Sequence, residues 1–560
     1  MIYKDCKNTI FLPFVAILVS CSCQNNIPSF ESNEIVKMNS QVVLTNSEKS
    51  NGDFFNSRDI KFSHTLQSLS ENALTKNKVL SPDENGNIKV LVLPIEFNDF
   101  SFDNAMKDVI KNKINLAFNS HDDNKVAFES VKSFYKKSSF NKVNIDFEVA
   151  SFYKTNKNSS YYVNESLTKS LIDEAINKST LNGAKINRSD FDLNKDGFID
   201  AVWALYSSPS LDMNPNIKNP NLRAYTYQNY NLTPDKKEPT VNLFSWASLY
   251  FMESGYGHVL RNPISKNPID THTYIHETGH LFGLNDYYDY NNNSFPISGL
   301  DMMDFNVIDH NSYSKLILGW IKPYIVYGNA SINLNEVKNE NSCVVVLKDK
   351  KDIVKDEEGN VYFNPFSEYL LIEPFIYENS LNTYDLKNGY SPRKIEANST
   401  FMQDGYRIYH CDGRKGLITS KDNVESFSFY DSNVPLNIKS GKIKNIISNT
   451  TFGEDKKFES ALIRKLGYSS FVEKEKNLDF FNELTLIAKE TCYENNFDSL
   501  YKYQNENGEI SMMSISNNYL FNAGDSFIPS NYGSYFPNDD QNDNIILNNH
   551  DTFSSTIVFK

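Results

Sequence analysis

The residues best able to do chemistry lie close together. Residues 271–286 hold three of the chain's nine histidines. His276 and His280 stand four apart, so on a helix both imidazoles rise from one face and can meet one metal ion. Glu277 then lies beside the ion, where its carboxylate can take a proton from water held there. Gly283 is a natural helix end, since glycine accepts the left-handed conformation that turns the chain. Asp286, three residues on, can return as a third ligand. Two nitrogens and one carboxylate oxygen leave a fourth tetrahedral position for water, which is the pattern of a catalytic zinc site. Asp289 is the alternative third ligand, although spacing favours Asp286; the one that does not bind is expected to orient a histidine.

Neighbouring residues take supporting parts. Ile275 and Phe282, seven apart, share a helical face that can pack inward. His272 reads as a capping or hydrogen-bonding residue, because a third helical ligand would be unusual. Met303 is expected as a packing residue under the zinc, its thioether being too soft for this ligand set. His310 and Tyr313 are either hydrogen-bond donors to an oxyanion or ordinary polar residues. A second metal is suggested by Asp192, Asn194, Asp196 and Asp200 at loop positions one, three, five and nine, with the Phe198 carbonyl at seven and Gly197 at six. This is calcium spacing, although Trp203 stands at position twelve, where an EF-hand carries glutamate.

The segment His276-Glu277-Thr278-Gly279-His280-Leu281-Phe282-Gly283-Leu284, with Asp286-Tyr287-Tyr288-Asp289 after it, resembles the immune inhibitor A peptidase family (family M6). Leu300-Asp301-Met302-Met303-Asp304 is similar to the family's Asp-x-Met segment, comparable to the methionine turn of metzincins. Tyr313 to Pro323 resembles its closing Gly-Trp segment. Val131-Lys132-Ser133-Phe134-Tyr135 and the strand after Asn141 resemble the elements before the site, and Glu368 to Glu373 and Gly405 to Asp412 the β segments after it. From residue 413 onward only Ala523-Gly524-Asp525-Ser526-Phe527 is similar. The resemblance implies a zinc-dependent endopeptidase acting on extracellular proteins or peptides, with Glu277 as general base. An acidic residue at 289 and a loop like that at 192–200 also occur in the family. The rival reading is a surface-binding lipoprotein with an inactive or incidental peptidase domain; the presence of Glu277 argues against decay.

These residues need a scaffold, and the hydrophobic pattern supplies one. Ile88 to Leu93 is a buried-strand run after the turn signal Asp83-Glu84-Asn85-Gly86. Met106, Val109, Ile110, Ile114 and Phe118 recur at helical spacing, as do Leu167, Leu171, Ile172, Ala175 and Ile176. Val143, Ile145, Phe147 and Val149 alternate with polar residues, as in a strand with one wet face. Ala201 to Tyr206 reads as another strand. The expected fold is α+β: a metzincin-like zinc peptidase domain with a mixed twisted sheet over residues 87–325, then a mostly β, sandwich-like region over 326–560.

Residues 1–23 carry Lys4 and Lys7 before an apolar run from Ile10 to Val19, which fits a signal peptide and is too short to span a bilayer. Leu18-Val19-Ser20-Cys21 resembles a lipobox, so Cys21 is the expected lipid site and the membrane a partner through that anchor, at the cell surface or after release. Residues 24–86 read as a tether that can double as a propeptide. Cys23, beside the anchor, is poorly placed to block the zinc. With 56 basic against 70 acidic side chains the net charge is −14, which offers no general field for nucleic acid. Six cysteines without a CxxC pair exclude a disulfide miniprotein and a zinc ribbon. Cys343, Cys411 and Cys492 are expected to be buried or free thiols.

Overall fold

The computed structural model describes residues 53–55, 60–62, 79–121, 125–229, 232–253, 267–287, 300–327, 343–347, 360–378, 381–388 and 403–412, with single residues and short strands between and beyond them. Residues 1–50, Asp289 and Cys492 lie outside the described residues, and with them the signal segment, Cys21 and Cys23. The fold is α+β, and the described part belongs to one compact unit, Ser40–Lys560. Among the described residues no helix is long and apolar enough to cross a membrane.

In chain order the first half contains β1 (Asn87–Glu96), α1 (Asn104–Asn119), α2 (Val131–Ser138), β2 (Asn144–Val149), β3 (Tyr153–Lys154), α3 (Glu165–Lys178), β4 (Val202–Tyr206), β5 (Tyr225–Gln228), β6 (Leu243–Ser248), α4 (His272–Leu281), α5 (Met302–Phe305) and α6 (Ser312–Ile317). The main sheet runs β5-β6-β4-β1-β2, with β3 paired to the end of β1. Strands β6, β4, β1 and β2 are parallel, and the edge strand β5 is antiparallel to β6. β4 and β6 are buried at every position. Both faces are covered, so neither strand shows a hydrophobic alternation.

The helices lie where their periodicity predicts. α1 buries Ile110, Ile114 and Phe118, and α3 buries Leu171, Ile172, Ala175 and Ile176. The Asn164 side chain caps α3 by accepting from the Leu167 amide at 3.0 Å. Phe118 packs edge-on against Phe147 of β2 and Trp203 of β4, at 5.0 and 5.5 Å between ring centroids. Burying side chains of this kind supplies about 1.5–3 kcal/mol each.

The second half contains β7 (Tyr324–Tyr327), β8 (Val344–Leu347), β9 (Glu368–Phe375), α7 (Thr383–Asn388), β10 (Gly405–Asp412) and β11 (Leu484–Ile487), forming a sheet in the order β7-β8-β9-β10-β11. Part of the expected tether takes part in it. Asp53–Phe55 pairs antiparallel with β7, and Ile60–Phe62 pairs parallel with Val361–Phe363. Leu80, just before the first strand, is buried and donates its amide to the Leu281 carbonyl at 2.8 Å.

One hydrophobic cluster crosses the expected boundary at 325/326. Met303, Leu316 and Ile321 pack in it with Val345, Leu371, Tyr409 and Leu486. The two halves therefore share a core. All three tryptophans (Trp203, Trp246 and Trp320) lie before the boundary, so their fluorescence reports on the first half. Leu371→Ala, in the second half, is expected to cost about 2–5 kcal/mol and to lower the midpoint of tryptophan-detected unfolding. An unchanged tryptophan midpoint would mean that the halves unfold independently.

Candidate metal centre

α4 is placed by its apolar face. Tyr274 and Ile275, with Leu281, belong to the main core, and Thr278 accepts from the Trp203 indole N–H at 3.1 Å. The Tyr274 hydroxyl donates to the Ser248 carbonyl at the end of β6 (2.9 Å), and the Tyr135 hydroxyl of α2 to the Ile275 carbonyl (2.7 Å). These contacts turn His276, Gly279 and His280 to the opposite face. Ile275 and Phe282 are both buried in the same core.

The helix ends at Leu281, and Gly283 adopts φ +89°, the left-handed turn that the spacing predicts. The chain then brings Asp286 back. Its Oδ1 lies 3.0 Å from His276 Nε2 and 3.3 Å from His280 Nε2, while the two Nε2 atoms are 3.1 Å apart. Among the described residues this is the one group of three histidine, cysteine or acidic side chains whose ligand atoms converge.

The donor set fits a small divalent cation. His276 Nδ1 faces the Met302 carbonyl and His280 Nδ1 the Leu284 carbonyl, both at 2.8 Å. Each Nδ1–H therefore donates to main chain, and each Nε2 presents a lone pair to the centre. Tetrahedral ligands at ~2.0–2.1 Å stand about 3.3 Å apart, close to the separations found. Mixed nitrogen and carboxylate donors suit zinc better than calcium or magnesium. Burial opposes an imidazolium at His280, but adjacent Asp286 outweighs it and pushes the group up to about 9. Burial would raise Asp286, yet the imidazoles hold it well below the usual carboxylate range. A cation entering here displaces that proton.

Glu277 is buried next to the three donor residues. Thr226 on β5 donates either to the Glu277 carbonyl (2.9 Å) or to its Oε2 (3.3 Å), and Thr226 is 2.7 Å from Ser245, its register partner on β6. Burial pushes the Glu277 carboxyl up and the two imidazoles pull it back, leaving a net upward shift. Thr226 and Ser245 have no signal in sequence, because they reach the site only through strand pairing.

Met303 lies under the helix. A Cβ placed on Gly279 would stand 2.3 Å from Met303 Sδ, so any other residue there would have to displace the methionine side chain. Glycine within a helix costs about 1 kcal/mol relative to alanine, and that local cost was the available clue to a close contact.

His272 does not join the donors. It is clamped between Asp270 Oδ1 at Nδ1 (2.8 Å) and Asp385 Oδ1 at Nε2 (3.0 Å), with its ring stacked on Phe128 at 4.7 Å. Burial opposes its charge, but Asp385 and Asp270 push the imidazolium up to about 9. His310 and Tyr313 are both buried. His310 packs among Phe134, Tyr135 and Trp320, and Tyr313 against Tyr287, so both are core residues and not donors facing an open cleft. Among the described residues neither ring nitrogen of His310 has a hydrogen-bond partner, and burial holds its pKa well below the ordinary value.

The loop at 192–200 folds around its own backbone. Asp192 accepts from the Asp196 and Gly197 amides (3.0 Å each), Asp196 from the Phe198 amide (2.9 Å), and Asp200 from the Leu193 amide (3.2 Å). Asn194 Oδ1 accepts from the Asp196 amide at 3.0 Å. Gly197 sits at φ +93°, and a Cβ there would press on Pro234 at 2.9 Å. Burial, with Asp192 and Asp196 nearby, pushes Asp200 up to about 7. Cys343 and Cys411 are buried thiols outside any disulfide.

His272 and His310 predict opposite pH limbs of stability. His272 binds its proton more tightly folded than unfolded, so its contribution is complete below ~6.5 and is lost as pH rises toward about 9. His310 binds its proton less tightly folded, so stability falls as pH drops below ~6.5. Thermal unfolding across this range should lose part of its alkaline slope in His272→Gln, with His280 supplying another part, and part of its acid slope in His310→Leu; slopes unchanged in both variants would contradict these assignments. Compared with known proteins, the chain matches no family model and no curated protein.

Proposed function

We propose that the chain is a zinc-dependent endopeptidase of the immune inhibitor A type, with a metzincin-like catalytic half, acting on proteins or peptides outside the cell. The observation that carries this reading is the convergence of His276 Nε2, His280 Nε2 and Asp286 Oδ1, with the Glu277 carboxylate buried beside them. Zinc bound there supplies a Lewis acid that polarises a peptide carbonyl and acidifies water. The chain's own residues do the rest. His276 and His280 are oriented by main-chain carbonyls, which keeps both Nε2 lone pairs on the centre. Glu277, its carboxyl raised by burial, accepts a proton from the attacking water and returns it to the leaving amine. Thr226 steadies that carboxylate from the sheet edge. The export signal and the lipid site at Cys21 belong to the same reading, resting on the pattern of residues 1–23, and place the enzyme at the membrane surface or released from it.

Glu277→Gln should still bind zinc but lose hydrolysis of a denatured protein substrate by ~10²–10⁴-fold, whereas His276→Ala should lose both. Full activity in Glu277→Gln would contradict the assignment.

The loop at 192–200 is proposed to hold calcium through Asp192, Asn194, Asp196, the Phe198 carbonyl and Asp200. Support comes from the calcium spacing of these residues and from the turn that Gly197 makes at φ +93°; the three carboxylates do not converge as the donors at His276, His280 and Asp286 do. Calcium at a hundredfold excess over Kd should then stabilise the fold by about 2.7 kcal/mol, and Asp196→Asn should remove the effect; no shift in the unsubstituted chain would exclude the site.

A further inference from the structure

The segment 300–312 passes beneath α4 and makes two contacts that matter to the metal centre. The Met302 carbonyl accepts from His276 Nδ1 at 2.8 Å, and Met303 Sδ occupies the space a side chain on Gly279 would need. The placement of this backbone therefore sets the rotation of the His276 ring. Asp301 staples the segment internally: it accepts from the Met303 amide at 2.7 Å and from Asn311 at its amide (2.7 Å) and side chain (2.8 Å).

Three further backbone groups of the segment are held by the second half of the chain. Arg407 Nη1 donates to the Leu300 carbonyl at 3.2 Å, the Ile308 amide donates to Asp385 Oδ2 at 2.6 Å, and the Ser312 amide donates to Glu373 Oε2 at 2.5 Å. Arg407 and Glu373 are register partners on β10 and β9, and they form a buried ion pair. The guanidinium lies over Phe375 and Tyr409, at 5.0 and 5.6 Å from the ring centroids. Its fork is thus fixed before it meets the segment.

We propose that Arg407 and Glu373, with Asp385, form a clamp by which the C-terminal sheet sets the geometry of the metal centre. They are positioning residues that act on His276 through Met302. The proposal rests on the zinc reading above and adds that the second half is part of the catalytic apparatus. Hydrophobic packing alone would hold the two halves together without gripping the segment near both ends. Directional bonds to Leu300 and Ser312 fix the backbone that bears on His276. Partners one step removed from a ligand typically change metal affinity 10–100-fold when lost.

The test uses the full chain. Zinc affinity is measured by competition with a chromophoric chelator, and geometry by the visible bands of the cobalt(II)-loaded protein. Two variants are compared. Glu373→Leu combined with Arg407→Met removes both charges together, so neither is left buried and unpaired. Arg407→Lys keeps the charge and loses the fork. Both should weaken zinc binding, the double variant by up to the ~10–100-fold typical of a ligand's direct partner, and both should shift the cobalt bands of protein that is still folded by its tryptophan signal. Zinc affinity within twofold of the unsubstituted chain, with the same cobalt spectrum, would overturn the clamp.

Amide exchange at Ile308 and Ser312 gives a reading without any variant. If the clamp positions the centre, reciprocity requires zinc to slow exchange at both amides. Unchanged exchange would overturn the proposal whatever the variants do. An unsubstituted chain that fails to bind zinc, or a His276→Asn variant that binds equally well, would instead overturn the zinc reading.

Discussion

Three electron-rich atoms held within about 3.3 Å of one another set the problem that the surrounding structure solves. His276 Nε2, His280 Nε2 and Asp286 Oδ1 do not attract each other unless a proton or a metal cation lies between them. The fold brings them together regardless, by fixing each from behind. Main-chain carbonyls of Met302 and Leu284 hold the imidazoles, and the left-handed turn at Gly283 returns Asp286. Elements far from the centre serve this arrangement. The buried face of α4 rests on Trp203 and the end of β6, so the opposite face is free to carry donors. The edge strand β5, the antiparallel member of the main sheet, delivers Thr226 to Glu277.

The second half is drawn into the same arrangement. Asp385 bonds His272 at the start of α4 and Ile308 after the methionine segment, so one carboxylate ties α7 to both. Arg407 and Glu373 hold the flanks of that segment. The hydrophobic cluster that joins Met303 to Leu371 and Tyr409 works in the same direction. A division of the chain near residue 325 follows the change from helix-rich to strand-rich sequence but not the packing. The pieces of residues 53–62 that pair with the later strands add to this, since they belong to the fold and not to a free tether.

What could be read in the sequence was local. His276, Glu277 and His280 are visible because helical spacing puts four-apart residues on one face, and Asp286 because glycine marks where a helix can turn back. α1, α3 and β2 were visible for the same reason, their apolar periods falling within one window. β6 was not: like β4 it is buried on both faces and has no alternation, and its two serines also break the continuous apolar run by which β4 can be read. The partners of the site were invisible on different grounds. Thr226 is 51 residues from Glu277, Asp385 113 from His272, and Arg407 107 from Leu300. No local pattern links such pairs; they meet only after sheets form and register is set. His272 divides the same way: its hydrogen-bonding role and its neighbour Asp270, two residues before it, are local, while its second partner, Asp385, is not.

The central claim is that this convergence of side chains is a zinc centre, and X-ray absorption at the zinc edge of the loaded full-length protein tests it most directly. The account predicts a four-coordinate ion with two imidazole nitrogens and oxygen donors at ~2.0–2.2 Å and no sulfur, and loss of the imidazole signature when His276 and His280 are replaced. A sulfur shell at ~2.3 Å, or an ion whose signature survives replacement of both histidines, would contradict it.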